Sequence, residues 1–528
     1  MRRFSSYGPV DPELHFSVER KKLVESCVSQ LIDSPDKGGH YFTIWAPRQT
    51  GKTWIMRRAI EEIRARHGDR FRVGTFSMQG VVVKEDDPEE AFFTFVPRRF
   101  DRAFGAEAPL PRNWDDWTQL FARRGGYFDR PVILCIDEFD SLPKKLIDRL
   151  VALFRDMYLD RGEYFLHGLA LVGVRSVLGV DSPRGSPFNV QRSLPIPNLT
   201  EDEVTELFAQ YQTESGQGVD RAVVNAIFEI TRGQPGLVSW FGELCTEKYN
   251  PGSGEPISLA VFDEVLNAAL TLEWNNTILN LVAKARGPYV HQVISLFTDP
   301  NVPFDIDKDW CGYLYMNGII DNVVRTEGAK GKRTVCRFSC PFVQRRLYSA
   351  LTGDMFGDRG PILAVEPGDT LSDVFIPGGL CVHPLLERYR GYLKRLKARG
   401  IDPFQGQPRR ADLHLTEAVG HFHLYAWLLN ALGLRASISP EFPTGNGKVD
   451  LVVRSPDGMG VIEVKSFVDM YELGQGYAQT AGYAKKLGLT EATMAVFVPV
   501  PEAEIPKEIG GDVVIEGVTV KVVALGWV

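Results

Sequence analysis

Cysteine is sparse and unpatterned in this chain. The 528 residues hold seven, at 27, 135, 245, 311, 336, 340 and 381, with no CxxC pair among them. That excludes a disulfide framework and fits the reduced thiols of a cytoplasmic protein. Cys311, Cys336 and Cys340 lack a fourth ligand at zinc spacing, so buried thiols are expected there. No apolar run approaches the ~20 residues that a bilayer-spanning helix needs, and Met1-Arg-Arg-Phe-Ser-Ser-Tyr-Gly-Pro-Val10 lacks the apolar core of a signal peptide. No membrane partner is expected. Positive charge is not in excess either: 60 Lys and Arg against 67 Asp and Glu give a net charge of −7. Contact with nucleic acid must therefore come from local patches. The length allows about three to four domains, each with its own core.

What is present begins with Tyr41-Phe-Thr-Ile-Trp45, a short apolar run of strand propensity. It feeds into Ala46-Pro47-Arg48-Gln49-Thr50-Gly51-Lys52-Thr53, after which Trp54, Ile55, Ala59, Ile60 and Ile63 recur at helical spacing. Strand, loop and helix in that order make a phosphate cradle. The loop from Arg48 through Gln49, Thr50 and Gly51 offers amides, Lys52 reaches the β- and γ-phosphates, and Thr53 holds Mg²⁺. Ala46 replaces the first glycine of GxxxxGK[ST], which is tolerable only if that position avoids positive φ.

Pro131-Val-Ile-Leu-Cys-Ile-Asp137-Glu138-Phe-Asp140 reads as a strand buried on both faces and ending in carboxylates. Asp137 is expected in the Mg²⁺ shell and Glu138 as the base that deprotonates water. Solvated strand-end acids are the bland alternative. Gly168-Leu-Ala-Leu-Val-Gly-Val174-Arg175 is another buried strand, whose final arginine either reads the γ-phosphate or is a plain surface residue. Thr200 and Glu203 have the spacing of a capping box, and Arg232-Gly-Gln-Pro235-Gly-Leu lies between two helices. In this order the motifs resemble the AAA+-related STAND and archaeal-type ATPases over residues 1 to about 250. The resemblance implies a helical lid in which Gly233 to Pro235 touch the nucleotide, and a base-binding segment at Val18-Glu-Arg20.

From Pro256 to about Leu351 two short helices, Val290–Phe297 and Trp310–Gly318, precede strands at Ile319–Arg325 and Thr334–Ser339. That order suggests a winged helix with Lys330, Lys332 and Arg333 at its tip. Phosphate tracking and simple packing are both open for it. A Gly- and Pro-rich connector leads to a basic helix at 388–399, either a solvated face or a positive surface beside a cleft.

Near the C-terminus an apolar helix (413–432) carries Glu417 near its start. Lys448-Val-Asp450-Leu-Val-Val453 and Gly460-Val-Ile-Glu463-Val-Lys465 flank the turn Ser455-Pro-Asp-Gly458, a β-hairpin. Glu463 and Lys465 share one face of their strand, and Asp450 reaches it from the partner strand. Two carboxylates and a lysine among apolar neighbours suit a divalent metal that activates water. Gln479 and Tyr483 share a helix face. His414, Glu417, His421 and His423 could alternatively offer a zinc pair, but HExxH order and a third ligand are missing, so ordinary histidines are expected.

This set resembles the PD-(D/E)XK nuclease superfamily over residues 411 to 528, and its QxxxY helix resembles the branch related to RecB-type nucleases. The resemblance implies Asp450 and Glu463 as ligands of Mg²⁺ or Mn²⁺, Lys465 as catalytic lysine, Glu417 as first-helix glutamate, and Gln479 and Tyr483 as accessory pair. Val449 stands where the motif's proline would be. The expected whole is an α/β multidomain protein: a P-loop ATPase with parallel sheet and helical lid (1–250), a winged helix (256–352), a helical connector (353–410) and a restriction-endonuclease-like α/β domain (411–528). Its expected action is metal-dependent cleavage of nucleic acid, DNA ahead of RNA, under control of ATP. A homo-oligomer and a companion protein of a prokaryotic defence system are further expected partners. The alternative is a nucleotide-dependent switch whose nuclease fold does not cut.

Overall fold

A computed structural model describes every residue except 82, 85, 106–109, 174–191, 253, 298, 300, 327–331, 358–361, 408, 411, 413, 441–449 and 457. Arg175, Lys330 and Val449 therefore lie outside the described residues. The chain divides into two compact units. One comprises Met1–Leu279, Ile306–Ile320 and Ser339–Phe342; the other comprises Asn280–Asp305, Asp321–Phe338 and Val343–Val528. Residues 256–352, expected as one domain, are thus shared between the two.

The first unit is built on five strands, β1 (Tyr41–Trp45), β2 (Arg72–Ser77), β3 (Val132–Asp137), β4 (Leu166–Gly173) and β5 (Arg192–Pro195). They form a parallel sheet in the order β2-β3-β4-β1-β5. Its early helices are α1 (Lys21–Ile32), α2 (Lys52–His67), α3 (Phe92–Phe104), α4 (Trp114–Leu120) and α5 (Lys144–Leu159). Every residue of β3 is buried, because alternate side chains feed opposite layers. Ile133 and Cys135 pack with α1 and α2. Val132, Leu134 and Ile136 pack with an aromatic cluster from α3 and α4 that includes Phe92, Phe100 and Trp117. Continuous apolar runs are what a doubly covered parallel strand requires.

Four helices follow: α6 (Glu201–Ser215), α7 (Arg221–Thr231), α8 (Pro235–Glu243) and α9 (Leu259–Thr271). The capping box at the start of α6 is formed, with Thr200 and Glu203 each accepting the other's backbone N–H. Next come α10 (Asn276–Ala285), α11 (Val290–Ser295), α12 (Asp309–Met316), a two-stranded pair β6 (Ile320–Thr326) and β7 (Lys332–Phe338), and α13 (Pro341–Phe356). Lys332 and Arg333 are exposed at the start of β7.

The rest of the second unit contains the short pair β8 (Phe375–Ile376) and β9 (Gly379–Leu380), then α14 (His383–Ala398) and α15 (Glu417–Leu432). Strands β10 (Ser437–Pro440), β11 (Leu451–Ser455) and β12 (Gly458–Ser466), helix α16 (Met470–Lys486), and strands β13 (Glu491–Val498), β14 (Gly511–Ile515) and β15 (Val518–Gly526) complete it. The sheet order is β10-β11-β12-β13-β15-β14. It is mixed, with β12, β13 and β15 parallel and the outer pairs antiparallel. Ile462 and Val464 pack with α14 and α15, whereas Val461, Met494 and Val496 pack with α16. By alternation Glu463 and Lys465 belong to the α16 face.

The cations of α14 are spent on the chain itself. Arg388 pairs with Asp369 at 2.6 Å and Asp373 at 2.9 Å, Lys394 with Glu502 at 2.9 Å, and Arg395 with Glu366 at 2.7 Å. The helix is a brace rather than an open positive surface. Among the described residues no helix is long and apolar enough to cross a membrane.

Candidate functional site

The loop after β1 curls around its own lysine. Lys52 is the first residue of α2, and its Nζ donates to the carbonyls of Ala46 and Pro47, both at 2.9 Å. Positive φ falls on Gln49 (57°) and Gly51 (89°) and not on Ala46, which is why alanine is accepted there. Thr50 donates to the Pro47 carbonyl at 2.8 Å. Because β1 and β3 flank β4 in a parallel sheet, their C-terminal ends emerge on one edge. There Thr53 Oγ1 donates to Asp137 Oδ2 at 2.7 Å, and the Glu138 N–H donates to Asp137 Oδ1 at 2.9 Å. Burial raises the Glu138 carboxyl above its ordinary range, and Asp137 and Asp140 push the same way. Burial lowers Lys52, against the pull of Glu138, Asp140 and Asp137. A buried cation seated on neutral carbonyls is poised to exchange them for phosphate oxygens.

Residues 5–250 match the family model of an AAA-like domain. The N-terminal part is an AAA-like P-loop ATPase domain. Among solved structures, the chain is similar to a Walker-type ATPase of Pyrococcus abyssi at 14% identity and TM-score 0.44, covering 65% of this chain and 99% of that one. It is also similar to Cdc6p of Pyrobaculum aerophilum at 14% identity and TM-score 0.38, covering 66% and 97%. A third is the Aeropyrum pernix ORC1 protein in complex with DNA, at 14% identity and TM-score 0.30, covering 63% and 92%. No curated protein matches the chain.

In the ATPase domain the N-terminus of α8 touches the loop directly. The Gly236 N–H donates to the Gln49 carbonyl at 3.0 Å, and the Gln234 side-chain amide donates to the Arg48 carbonyl at 3.1 Å. Pro235 occupies the first turn, where its missing N–H costs nothing. Gln49 reaches back to the Ser6 carbonyl at 3.0 Å. Arg20, left-handed at φ 49°, pairs with Glu203 at 3.3 Å and donates to the Pro197 carbonyl at 2.9 Å. Three side-chain roles escaped the sequence reading. Asp140 bears on Lys52 and Glu138 and is approached so closely by Gly173 that a Cβ there would lie 2.6 Å from its carboxylate. Gln49 was expected only as a loop amide and Gln234 only within the lid motif; their side-chain partners were hidden because they come from opposite ends of the domain. The side chain of Arg48, expected at the nucleotide, is exposed.

The second site lies within the other unit. The ladder pairs Leu451 with Ile462, so one step further Asp450 faces Glu463. Both are buried, at 5% and 1% exposure. Asp450 Oδ2 accepts the Val464 N–H at 2.7 Å. Lys465 Nζ lies 2.8 Å from Glu463 Oε1, an ion-pair distance without hydrogen-bond alignment, and 3.4 Å from Glu417 Oε1. Among the described residues, Glu463 Oε2 is buried with no hydrogen-bond partner. Burial raises the Asp450 carboxyl well above its usual range, with Glu463 adding to it, and burial raises Glu463 against the opposing Lys465. For Lys465 burial favours the neutral form, but Glu417, Glu463 and Asp450 outweigh it and hold the ammonium above its ordinary value.

Oxygen donors and an orphaned buried carboxylate oxygen fit a hard divalent cation. Among the described residues, however, no group of three His, Cys, Asp or Glu side chains is arranged to hold a metal. Gln479 is exposed on α16, while Tyr483 is buried. Burial raises the Tyr483 phenol, Glu463 pushes the same way, and Gln479 opposes it, so the phenol lies in the field of the acids and Gln479 bears on it alone. The zinc alternative fails on contacts. His421 and His423 are buried against Tyr348 and Tyr389, and burial pushes them down to about 4 and about 3. A cavity of about 790 Å³ beside Tyr392 and Trp427 includes none of the acid set.

Proposed function

We propose that the protein is a nucleotide-controlled, metal-dependent nuclease, with DNA its favoured substrate. One observation carries the reading: Asp450, Glu463 and Lys465 converge at a buried point where a Glu463 oxygen has no hydrogen-bond partner among the described residues. Charge is not buried in that state without compensation, and a divalent cation supplies it. Asp450 and Glu463 would hold Mg²⁺ or Mn²⁺, whose chemistry is to lower the pKa of water and to neutralise a phosphate. Lys465 would neutralise charge developing on phosphorus oxygens, and Glu417 would hold that lysine in place. In the ATPase domain Lys52 would release its two carbonyls to bind the β- and γ-phosphates, Thr53 and Asp137 would share Mg²⁺, and Glu138 would take the proton of attacking water.

The pair β6–β7 and its flanking helices we read as a winged-helix relay between the two activities. A homo-oligomer and a companion in defence rest on the family resemblance alone. The switch without cleavage has one observation in its favour: Lys465 sits where a cation would neutralise Glu463. Incubating single- and double-stranded DNA and RNA with Mg²⁺ or Mn²⁺, with and without ATP, decides between them. Cleavage that needs metal and is lost in Lys465→Ala is expected; cleavage indifferent to either sinks the nuclease reading.

A further inference from the structure

Asp450 immediately precedes β11, whose pairing to β12 begins at Leu451. Its main-chain carbonyl is met instead by a side chain. His421 Nε2 lies 3.1 Å from the Asp450 carbonyl oxygen, and His421 Nδ1 lies 2.6 Å from the Tyr348 hydroxyl. Both residues are buried, at 2% and 0% exposure. A carbonyl can only accept, so Nε2 of the neutral ring carries the proton. Nδ1 then presents its lone pair, and Tyr348 donates to it; the tautomer follows from the partners. The Tyr348 ring is itself fixed by stacking on Phe422, with centroids 4.2 Å apart.

Glu417 and His421 are one helical turn apart on α15 and share a face. From that face the helix holds two parts of the acid set at once, Lys465 through Glu417 and the Asp450 backbone through His421. We propose that Tyr348 and His421 form a positioning relay that fixes the Asp450 main chain, and with it the direction of the carboxylate toward a bound divalent cation. The inference rests on the nuclease reading. In it neither residue is a ligand: the ring's two nitrogens are both committed. Tyr348 acts through the tautomer. Without its hydroxyl the ring is free to carry the proton on Nδ1, which turns an Nε2 lone pair toward the Asp450 carbonyl and repels it.

The test is Mn²⁺ binding to the nucleotide-free full chain, followed by the electron paramagnetic resonance signal of free Mn²⁺, with Asp450→Asn as blank. His421→Leu is expected to weaken the Asp450-dependent site by about 10- to 100-fold, the range for partners that orient a ligand. Tyr348→Phe, which loses one hydrogen bond, is expected to weaken it by roughly 3- to 10-fold. His421→Gln, whose amide can reach the same carbonyl as a donor, is expected to restore much of the loss. A simple packing role would give no such rescue. Should His421→Leu fail to fold, Tyr348→Phe and His421→Gln decide the matter. Wild-type affinity in Tyr348→Phe and His421→Leu overturns the relay and leaves the nuclease reading standing. Absence of any Asp450-dependent Mn²⁺ site in the wild type overturns both.

Discussion

Buried Lys52 and half-buried Lys465 each lie near three carboxylates, yet the two regions treat them in opposite ways. At Lys52 burial wins: the ammonium sits on two neutral carbonyls and is held below its ordinary value. At Lys465 the acids win, and the ammonium is held above it. The first site therefore has positive charge in want of a strong anion, and the second has negative charge in want of a cation. A phosphate chain would complete one and a divalent metal the other. The difference is local electrostatics, and it arises although the chain as a whole carries only a modest negative charge.

The largest expected effect separates the two lysines by substitution. Lys52→Ala removes the proposed partner of the phosphates, and truncating one member of a buried charge pair costs ~2–5 kcal/mol, so ATP affinity should fall by about 10²-fold. Mn²⁺ binding at Asp450 should be unchanged, because Val464, Lys465, Glu417 and His421, which meet the acid set, belong to its own unit. Calorimetric titration with ATP and with Mn²⁺ measures both. Loss of both in one variant breaks the contrast.

A second test removes the excess negative charge. The folded Asp450 carboxyl is raised, so near neutral pH its ionisation works against the fold, and that penalty grows as pH rises through the folded value. Asp450→Asn is expected to stabilise the metal-free protein at pH 7.5 by about 1–3 kcal/mol, in line with other uncompensated buried charges. The thermal midpoint should rise, and added Mn²⁺ should narrow the gap by stabilising only the wild type. A midpoint that falls without metal contradicts an overfull negative site.

A smaller effect concerns pH. The folded His423 ring titrates only near about 3, while an unfolded histidine takes up its proton near 6.5. Its contribution is whole above 6.5 and is lost as pH falls through that interval, with a slope approaching about 1.4 kcal/mol per unit. His423→Asn keeps an acceptor for the Tyr389 hydroxyl and should flatten the acid limb of stability by one proton. Denaturant melts between pH 7.5 and 5 would show it, and an unchanged slope would mean that the ring is not neutral.

Much of both sites was legible because their residues lie in short contiguous segments. Strand, loop and helix around Lys52, and the hairpin around Glu463, are spelled out within about twenty residues each. What stayed hidden depends on distant partners. The basic run at 388–399 looked like an open surface because its acids, Asp369, Asp373 and Glu502, are outside it. His421 was expected as an ordinary histidine rather than half of a zinc pair, but its partners were unreadable, since nothing in α15 reveals Tyr348 or the Asp450 carbonyl. Nor does a local reading show that residues 306–320 and 339–342 cluster with the first unit.

The smallest effect probes how far the anion-seeking loop depends on α8. A Cβ on Gly236 would lie 2.4 Å from Gln49 Oε1 and 2.7 Å from Gln49 Cβ. The amide end can swing away, but the Cβ belongs to a residue held at φ 57° and cannot. Gly236→Ala should therefore push α8 off the loop and weaken the hydrogen bond from Gly236 to the Gln49 carbonyl. The helix itself gains, since alanine is better than glycine there by up to ~1 kcal/mol. Stability should thus change little while ATP affinity drops by roughly 3- to 10-fold, the worth of one hydrogen bond. Adding Gln49→Gly removes the obstructing Cβ and supplies a residue at ease with positive φ. Recovery of ATP affinity in the double variant would tie the loss to this contact, whereas a persistent loss would assign it to α8 alone.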